Sequence, residues 1–512
     1  MPKFIVFGML AKLFSGTIIG LAGMLIEVEV DVANRGFPTF AIVGLPNKAI
    51  DEAKDRVRTA LVNAGYEMPD SRITVNLAPA DIPKMGSGFD LPIALGILAA
   101  SRSLMTDFFQ NSLFIGELSL HGDLRGVPGV ISIALMAKEK KIKNIFLPKE
   151  NAAEASAITD IEVFPVEHVS QLVNHLHNKA HIQRYIPAAA PAEELQNYEF
   201  DFSEVKGQEE VKRALTIAAA GFHNIYIKGS PGSGKTMLCR AFPSILPPLN
   251  QKEILEVSKI YSAVNMKRAI LTTERPFRSP HHTTSRIGLI GGGAVPIPGE
   301  ISLAHKGVLF LDEFAEFSRS TLEALRQPME DGTIAISRAS GSFQFPARFL
   351  LLAASNPCQC GYLGHPRKTC KCSMAAIFAY RKKLSGPLLD RIELCLNVLP
   401  VEEEKLSTDF STETSKEIRQ RVLMAVEKQR KRFKESDVDY NSQMKSSDIE
   451  TFCTFSSAAT AALKQAISRL NLSARSYFKI KKVAQTIADL TDKAVVDEDC
   501  VNEAIQYRMR EL

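Results

Sequence analysis

Apolar and acidic residues alternate strictly from Ile26 to Val32 (Ile-Glu-Val-Glu-Val-Asp-Val), the two-residue period of a half-buried strand. Further strand-like runs lie at 39–43, 72–77 and 113–119. Between Ala49 and Ala64 the period lengthens. Ile50, Ala53, Val57, Ala60 and Leu61 recur at helical steps with Asp and Lys between them, which predicts an amphipathic helix. Asp90 to Ala99 predicts a second helix. The glycines and Lys84 of Pro83-Lys84-Met85-Gly86-Ser87-Gly88-Phe89-Asp90 read either as an anion-binding turn before that helix or as a tight turn with Asp90 as its cap. These elements give an α/β domain over residues 1–185, followed at 186–197 by a linker containing Ile186-Pro187-Ala188-Ala189-Ala190-Pro191-Ala192. From 198 to 400 the apolar runs lose their alternation. Asn224 to Ile227, Val308 to Leu311 and Phe349 to Ser355 read as strands of a parallel sheet covered on both faces. Ser320 to Glu330 predicts a helix, and Thr333 to Ala339 with Phe343 to Leu352 a hairpin around Ser340-Gly341-Ser342. Residues 401–512 form a carboxyl-terminal region, almost wholly helical from 411, which suits a lid on that core.

The run Gly229-Ser230-Pro231-Gly232-Ser233-Gly234-Lys235-Thr236 follows the first of these buried strands and fits the phosphate-loop pattern G-x-x-x-x-G-K-[ST]. Its backbone N–H groups can cradle phosphates. Lys235 is placed for the β- and γ-phosphates of ATP, and Thr236 offers a hydroxyl to Mg2+. Asp312 and Glu313 close the strand at 308–311, at the carboxyl end where α/β sheets bind ligands. Asp312 is expected to organise magnesium and Glu313 to activate water; the plain alternative is a capped strand with two surface acids. Asn356 ends the next strand and is expected to position water, although Asn-Pro is also a turn signal. Arg391, after Leu388-Leu389-Asp390, reads either as a solvated or paired arginine or as a charge offered to a neighbouring subunit's ATP.

Cys358, Cys360, Cys370 and Cys372 are spaced as two Cys-x-Cys pairs, nine residues apart. Four thiolates suit a closed zinc site; reduced, unligated thiols or a redox pair are the alternatives. Arg367 and Lys368 in the intervening loop would favour thiolates and could face nucleic acid. Arg338, near the hairpin tip, reads as a phosphate contact in a central channel or as a solvated arginine. Adjacent His281 and His282 point apart in an extended chain, which disfavours a shared metal and leaves either a loop near the nucleotide or channel or an ordinary surface loop. The basic run Lys428 to Lys434 reads as a solvated helix face, with nucleic-acid contact as the alternative.

A chain of 512 residues is too long for one core. Its net charge of +5 tolerates a polyanionic partner without requiring one. Eight cysteines, four of them clustered, exclude a secreted disulfide scaffold. The apolar amino-terminal stretch is interrupted by Lys12, Gly16, Gly20 and Gly23 and offers no clean span of about 20 apolar residues. It reads as strands, with an amphipathic or inserted helix as the alternative, and the protein as cytoplasmic, without a membrane partner.

With these residues in place, the chain resembles the YifB/ComM family of magnesium-chelatase-like AAA+ ATPases over nearly its full length. The resemblance is carried by Val43-Gly44-Leu45-Pro46, Glu52-Ala53-Lys54-Asp55-Arg56-Val57-Arg58, Arg278-Ser279-Pro280-His281-His282, Gly299-Glu300-Ile301-Ser302-Leu303-Ala304-His305, Asn356-Pro357-Cys358-Gln359-Cys360-Gly361 and Leu472-Ser473-Ala474-Arg475. It implies an AAA+ phosphate-loop NTPase core with a helical lid, preceded by an α/β domain like that of Lon-type proteases (ribosomal S5 domain 2-like). It implies that Asn356 is the first sensor, Arg391 an arginine finger and Arg475 the second sensor. It further implies a homo-hexameric ring acting on DNA, with recombination proteins as partners, in branch migration during natural transformation. Gly88 falls where the Lon serine belongs and Ser87 is one residue off, so no peptidase activity is expected. The family has arginines where Lys479, Lys482 and Gln485 fall here. A chelatase motor subunit and an ATP-controlled protein-binding scaffold are the competing readings.

Overall fold

The structure, a computed structural model, describes residues 10–33, 37–44, 48–84, 86–104, 109–187, 198–264, 271–293, 296–338, 341–399, 413–470 and 472–508. Most of the 186–197 linker lies outside them. The chain divides into two compact units: Met1–Glu194 with Ile254–Thr272, and Leu195–Glu253 with Thr273–Leu512. Residues 254–272, which the sequence assigns to the second domain, therefore group with the first.

The first unit is built on a seven-stranded mixed sheet in the order Thr39–Val43, Arg72–Ala78, Ala22–Val32, Leu10–Ile19, Ser112–Phe114, Asn144–Pro148, Glu162–Val166. The alternation at 26–32 has the outcome its period requires: Ile26, Val28 and Val30 are fully buried. Val28 and Val30 join Val57, Leu61 and the helix Asp90–Ala100 in one apolar core, and the helix Val130–Glu139 packs in another. The glycines that interrupt the amino-terminal run have a packing reason. A β-carbon on Gly23 would lie 2.2 Å from the Ser132 carbonyl oxygen, so the helix rests directly on strand backbone.

The stretch before the helix Asp90–Ala100 is a tight turn, Asp90 N–H donating to the Ser87 carbonyl at 3.2 Å, but the cap is Phe89 and Asp90 is the first helical residue. It is fully buried and forms a two-pronged pair with Arg56 (2.9 and 3.1 Å), while accepting from Leu118 N–H. Burial pushes its carboxyl up to about 6 against the pull of Arg56. Nearby, the Ser87 hydroxyl donates to Glu117 and the Lys84 ammonium to the Pro79 carbonyl.

The second unit carries a five-stranded parallel sheet in the order Phe277–Arg278, Val308–Leu311, Leu350–Ser355, Ile225–Gly229, Leu394–Val398. Every residue of Val308–Leu311 and Leu350–Ser355 is buried, as unalternated apolar runs require. The hairpin differs from expectation. Its strands are Thr333–Arg338 and Gly341–Pro346, and the chain then enters the parallel sheet at Leu350. Pro346 lacks the N–H needed to continue the ladder.

Helices Ser415–Arg432, Ser457–Leu470, Ala474–Leu490 and Glu498–Gln506 follow. Thr414 and Glu417 cap the first reciprocally. Ile418, Val422, Ile480, Val483, Ile487 and Val501 share one apolar core with Ile225, Val308 and Leu352, so the helical region is fixed to the sheet within this unit. The basic run at 428–434 is not simply solvated. Arg432 forms a two-pronged pair with Asp489, which is 2% exposed, and Lys428 donates to the Asp489 carbonyl at 2.8 Å. Among the described residues, no helix is long and apolar enough to cross a membrane.

Candidate active site

The phosphate-loop run leaves the carboxyl end of Ile225–Gly229 and turns into the helix Lys235–Ala241. Gly232 and Gly234 take φ of 77° and 83°, the left-handed region that favours glycine, which lets the loop curl back on itself, Ser233 N–H donating to the Ser230 carbonyl at 3.3 Å. The Lys235 ammonium is folded back onto the loop, donating to the carbonyls of Gly229 (2.7 Å) and Ser230 (2.8 Å). Burial lowers its pKa. An incoming phosphate would offer stronger, charged acceptors in their place.

Asp312 and Glu313 lie one strand beyond the adjacent Leu350–Ser355. The Thr236 hydroxyl donates to Asp312 Oδ2 at 2.9 Å, so a hydroxyl and a carboxylate converge as hard oxygen ligands that fit magnesium. Asp312 Oδ1 accepts from Glu313 N–H at 2.9 Å. Glu313 itself adopts φ 51° and ψ 42°, a conformation that costs a non-glycine residue about 1–3 kcal/mol and is retained mainly at functional sites. Its Oε2 lies 3.1 Å from His282 Nδ1. The two histidines do not point apart: their rings lie 4.1 Å from centroid to centroid. With Ser355 and Asn356 from the middle strand, the loop and the acid pair line a cleft of about 420 Å³.

The cysteine element begins two residues after Asn356. The Sγ atoms of Cys358, Cys360 and Cys370 are 3.5, 3.7 and 3.6 Å apart, and Cys372 completes a group whose ligand atoms all lie within 4.8 Å. A zinc ion with bonds of about 2.3 Å would place sulfurs roughly 3.8 Å apart, so the donor set fits such an ion. Backbone N–H groups of Tyr362 and Lys371 draw the Cys360 thiol down to about 6. A β-carbon on Gly361 would stand 2.6 Å from Pro231 Cδ, so this element touches the phosphate loop. Arg367 and Lys368 are exposed on it, with the Lys368 ammonium 4.9 Å from the Tyr362 ring centre. Exposed Arg338 stands apart from the cleft, its guanidinium 3.5 Å from where a β-carbon of Gly292 would be.

Arg391 and Arg475 are brought together, but not at the phosphate loop. Leu394 pairs with Ile225 and Val398 with Gly229, so Arg391 precedes the amino end of its strand. Its carbonyl accepts from Asn224 Nδ2 at 3.3 Å. The phosphate loop leaves the opposite end, about 13 Å further along. The Arg391 guanidinium donates to the Pro387 carbonyl (2.6 Å) and to Glu330 Oε2. Arg475 donates to the other oxygen of the same carboxylate at 3.1 Å. The two arginines hold Glu330 below the usual carboxylate range, Arg391 most strongly. All three line a cavity of about 1090 Å³ with Asp390, Lys479 and Lys482.

The departures at 479, 482 and 485 also have partners. Lys479 donates to the Asp390 carbonyl at 2.6 Å, Lys482 to the Ser442 carbonyl at 2.8 Å, and Gln485 to Asp489 at 3.2 Å. A neutral residue suffices at 485 because Arg432 already balances Asp489. Glu330 and the His282–Glu313 contact escaped sequence reading. Neither lies in a spacing that marks it, and both pairs join residues distant in the chain.

Loop, acids and asparagine project from three neighbouring parallel strands at one end of a sheet carrying a helical lid, and this is the organisation of an AAA+ phosphate-loop ATPase. Three family models match: "Magnesium chelatase, subunit ChlI" over residues 201–406, "Subunit ChlI of Mg-chelatase" over 28–151, and "Magnesium chelatase, subunit ChlI C-terminal" over 412–508. The chain is 42% identical over 508 residues to competence protein ComM of Haemophilus influenzae, covering 98% of this chain and 97% of that one. It is 42% identical over 486 residues to the uncharacterized protein YifB of Escherichia coli, covering 94% of each. The magnesium-chelatase 38 kDa subunit of Cereibacter sphaeroides is more distant, 26% identical over 179 residues that cover 31% of this chain and 53% of that one. The chain belongs to the YifB/ComM family of magnesium-chelatase-like AAA+ ATPases.

Proposed function

We propose that this protein is an ATP-driven DNA motor of the cytoplasm, working as a homo-hexameric ring in branch migration during recombination or natural transformation. The observation that carries this reading is the separation of the ATP chemistry into two ends of one sheet. Lys235, Thr236, Asp312, Glu313 and Asn356 gather at the carboxyl end, while Arg391 and Arg475 meet near the amino end. One copy thus supplies a cradle and a second copy supplies arginines, which requires a closed or stacked assembly with heterologous contacts.

In this reading Gly229 to Thr236 bind the triphosphate, with Lys235 turning from loop carbonyls to phosphate oxygens. Thr236 and Asp312 would hold magnesium, which when bound neutralises charge on the β- and γ-phosphates. Glu313 accepts a proton from the attacking water, and Asn356 orients that water. Arg391 and Arg475 of the next copy offset charge that develops on the γ-phosphate. Arg338 on its hairpin and Arg367 and Lys368 on the cysteine element contact DNA phosphates. The first unit, resembling the proteolytic domain of Lon-type enzymes, organises the ring or receives recombination proteins.

DNA is the discriminating reagent. Single-stranded or branched DNA should raise ATP turnover severalfold, and Arg338→Ala should weaken DNA binding with a shallower dependence on salt, by about one unit of log–log slope. A branch-migration assay with wild type and Glu313→Gln should show strand exchange only for the former. Absence of both DNA stimulation and branch migration would leave a chelatase-type motor or a protein-binding scaffold as the better account.

The cysteine element is proposed to hold one structural zinc. Metal analysis should find about one zinc per chain, and Cys370→Ser should lose it together with part of the protein's thermal stability. A full-length protein purified without any zinc, and with four freely titrating thiols, would defeat this assignment.

A further inference from the structure

We infer that Glu330 is a positioning residue that holds Arg391 and Arg475 together as one two-pronged receptor for a neighbouring copy's triphosphate. This rests on the two-copy site proposed above.

Arg391 and Arg475 carry like charges on separate elements. Arg391 follows the short helix Gly386–Leu389, and Arg475 opens the long helix Ala474–Leu490. Left to themselves, two guanidiniums repel, and a long side chain has many rotamers in which to separate. Arg475 is 58% exposed, so packing alone does not fix it. Glu330 resolves both difficulties with a single group. Its Oε2 accepts from Arg391 and its Oε1 from Arg475, placing one cation on each oxygen. Asp390 adds a looser contact, 3.9 Å from Arg475 Nη1.

The grip on Arg391 depends on few contacts. Among the described residues its Nε is buried without a hydrogen-bond partner, and Pro387 and Glu330 are the acceptors that aim the guanidinium. Glu330 is itself half exposed, on the helix Arg326–Asp331, so its carboxylate stands at the surface between the exposed Arg475 and the largely buried Arg391. A structural ion pair would not need two cations gathered around one exposed acid. An anion receptor does: Arg391, Arg475 and Arg508 against Glu330 and Asp390 leave one net positive charge, and Arg391 and Arg475 each retain unused N–H donors.

The test uses the full chain and steady-state ATP turnover. Glu330→Gln keeps the shape and removes the charge. It should leave nucleotide binding and melting temperature unchanged, keep KM within about threefold, and lower kcat by about tenfold or more. Combining it with Arg475→Ala should cost little beyond the worse single variant, because both act through one receptor.

Mixing separates copies. Glu313→Gln has a disabled cleft and intact arginines, whereas Glu330→Gln has the reverse. Mixed assemblies should regain turnover above either variant alone. Arg391→Ala mixed with Glu313→Gln serves as the reference. If that reference mixture regains activity while Glu330→Gln alone turns over ATP like wild type, the role of Glu330 is overturned and the two-copy site stands. The role is equally overturned if the reference regains activity and the Glu330→Gln mixture does not, since Glu330 then serves its own copy. If the reference mixture regains nothing, the two-copy site falls and this inference with it.

Discussion

Glu313→Gln should bind ATP as tightly as the parent protein and hydrolyse it about 10²–10⁴ times more slowly. The substitution retains size and leaves Lys235, the loop N–H groups and the Thr236–Asp312 contact untouched, so the elements that hold triphosphate remain. What disappears is the acceptor for the proton of the attacking water. Glu313 is suited to that task by location: it stands at the carboxyl end of Val308–Leu311, 54% exposed at the side chain, beside the cleft lined by Lys235 and Asn356. Its backbone is held in the left-handed region, which sets the direction of the Cα–Cβ bond before substrate arrives. Filter binding with ATP and single-turnover phosphate release measure the two quantities separately. Turnover at the parent rate would remove Glu313 from the chemistry and shift attention to His282, 3.1 Å away.

The cleft was legible because its parts are contiguous in the chain. A phosphate loop is eight consecutive residues after a strand, and an acid pair after four apolar residues announces its own location. The sheet order that brings these strands together follows from rules for parallel α/β units rather than from any one residue. The cysteine group was likewise visible from spacing, although its compactness was not.

Pairings across long separations were not legible. Glu330 lies 61 residues from Arg391 and 145 from Arg475, so no window of sequence contains the group. In the run at 428–434 Arg430, Lys431 and Lys434 are exposed, as charge density suggests, but one member departs from that reading. Arg432 instead meets an acid 57 residues away, in a helix that buries it. The amino-terminal glycines were legible as breaks in a stretch that folds as strands, but their packing reason was not. They break an apolar run in sequence, yet at Gly23 the missing side chain is what allows a helix to approach. Composition records the residue; only the packing partner supplies its reason.

Of the two arginines, the larger effect on catalysis is expected at Arg391. Arg391→Ala should retain ATP binding and lose about 10³-fold or more in kcat, the scale of an arginine supplied to a phosphoryl-transfer site from outside. The loss should exceed that of Arg475→Ala. Arg391 is only 13% exposed and anchored by the Pro387 carbonyl, whereas Arg475 is 58% exposed and held through Glu330 and a loose contact to Asp390. A preorganised donor stabilises developing charge without reorganising at the moment of reaction, and the better-anchored guanidinium has more of that advantage to lose. The effect should also depend on assembly. At protein concentrations too low for copies to associate, parent and variant should turn over ATP equally slowly, because neither then presents an arginine to a cleft. As concentration rises, only the parent should accelerate. Equal acceleration of both would place Arg391 outside the reacting centre and leave the guanidinium a local role, fastening the Pro387 turn to Glu330.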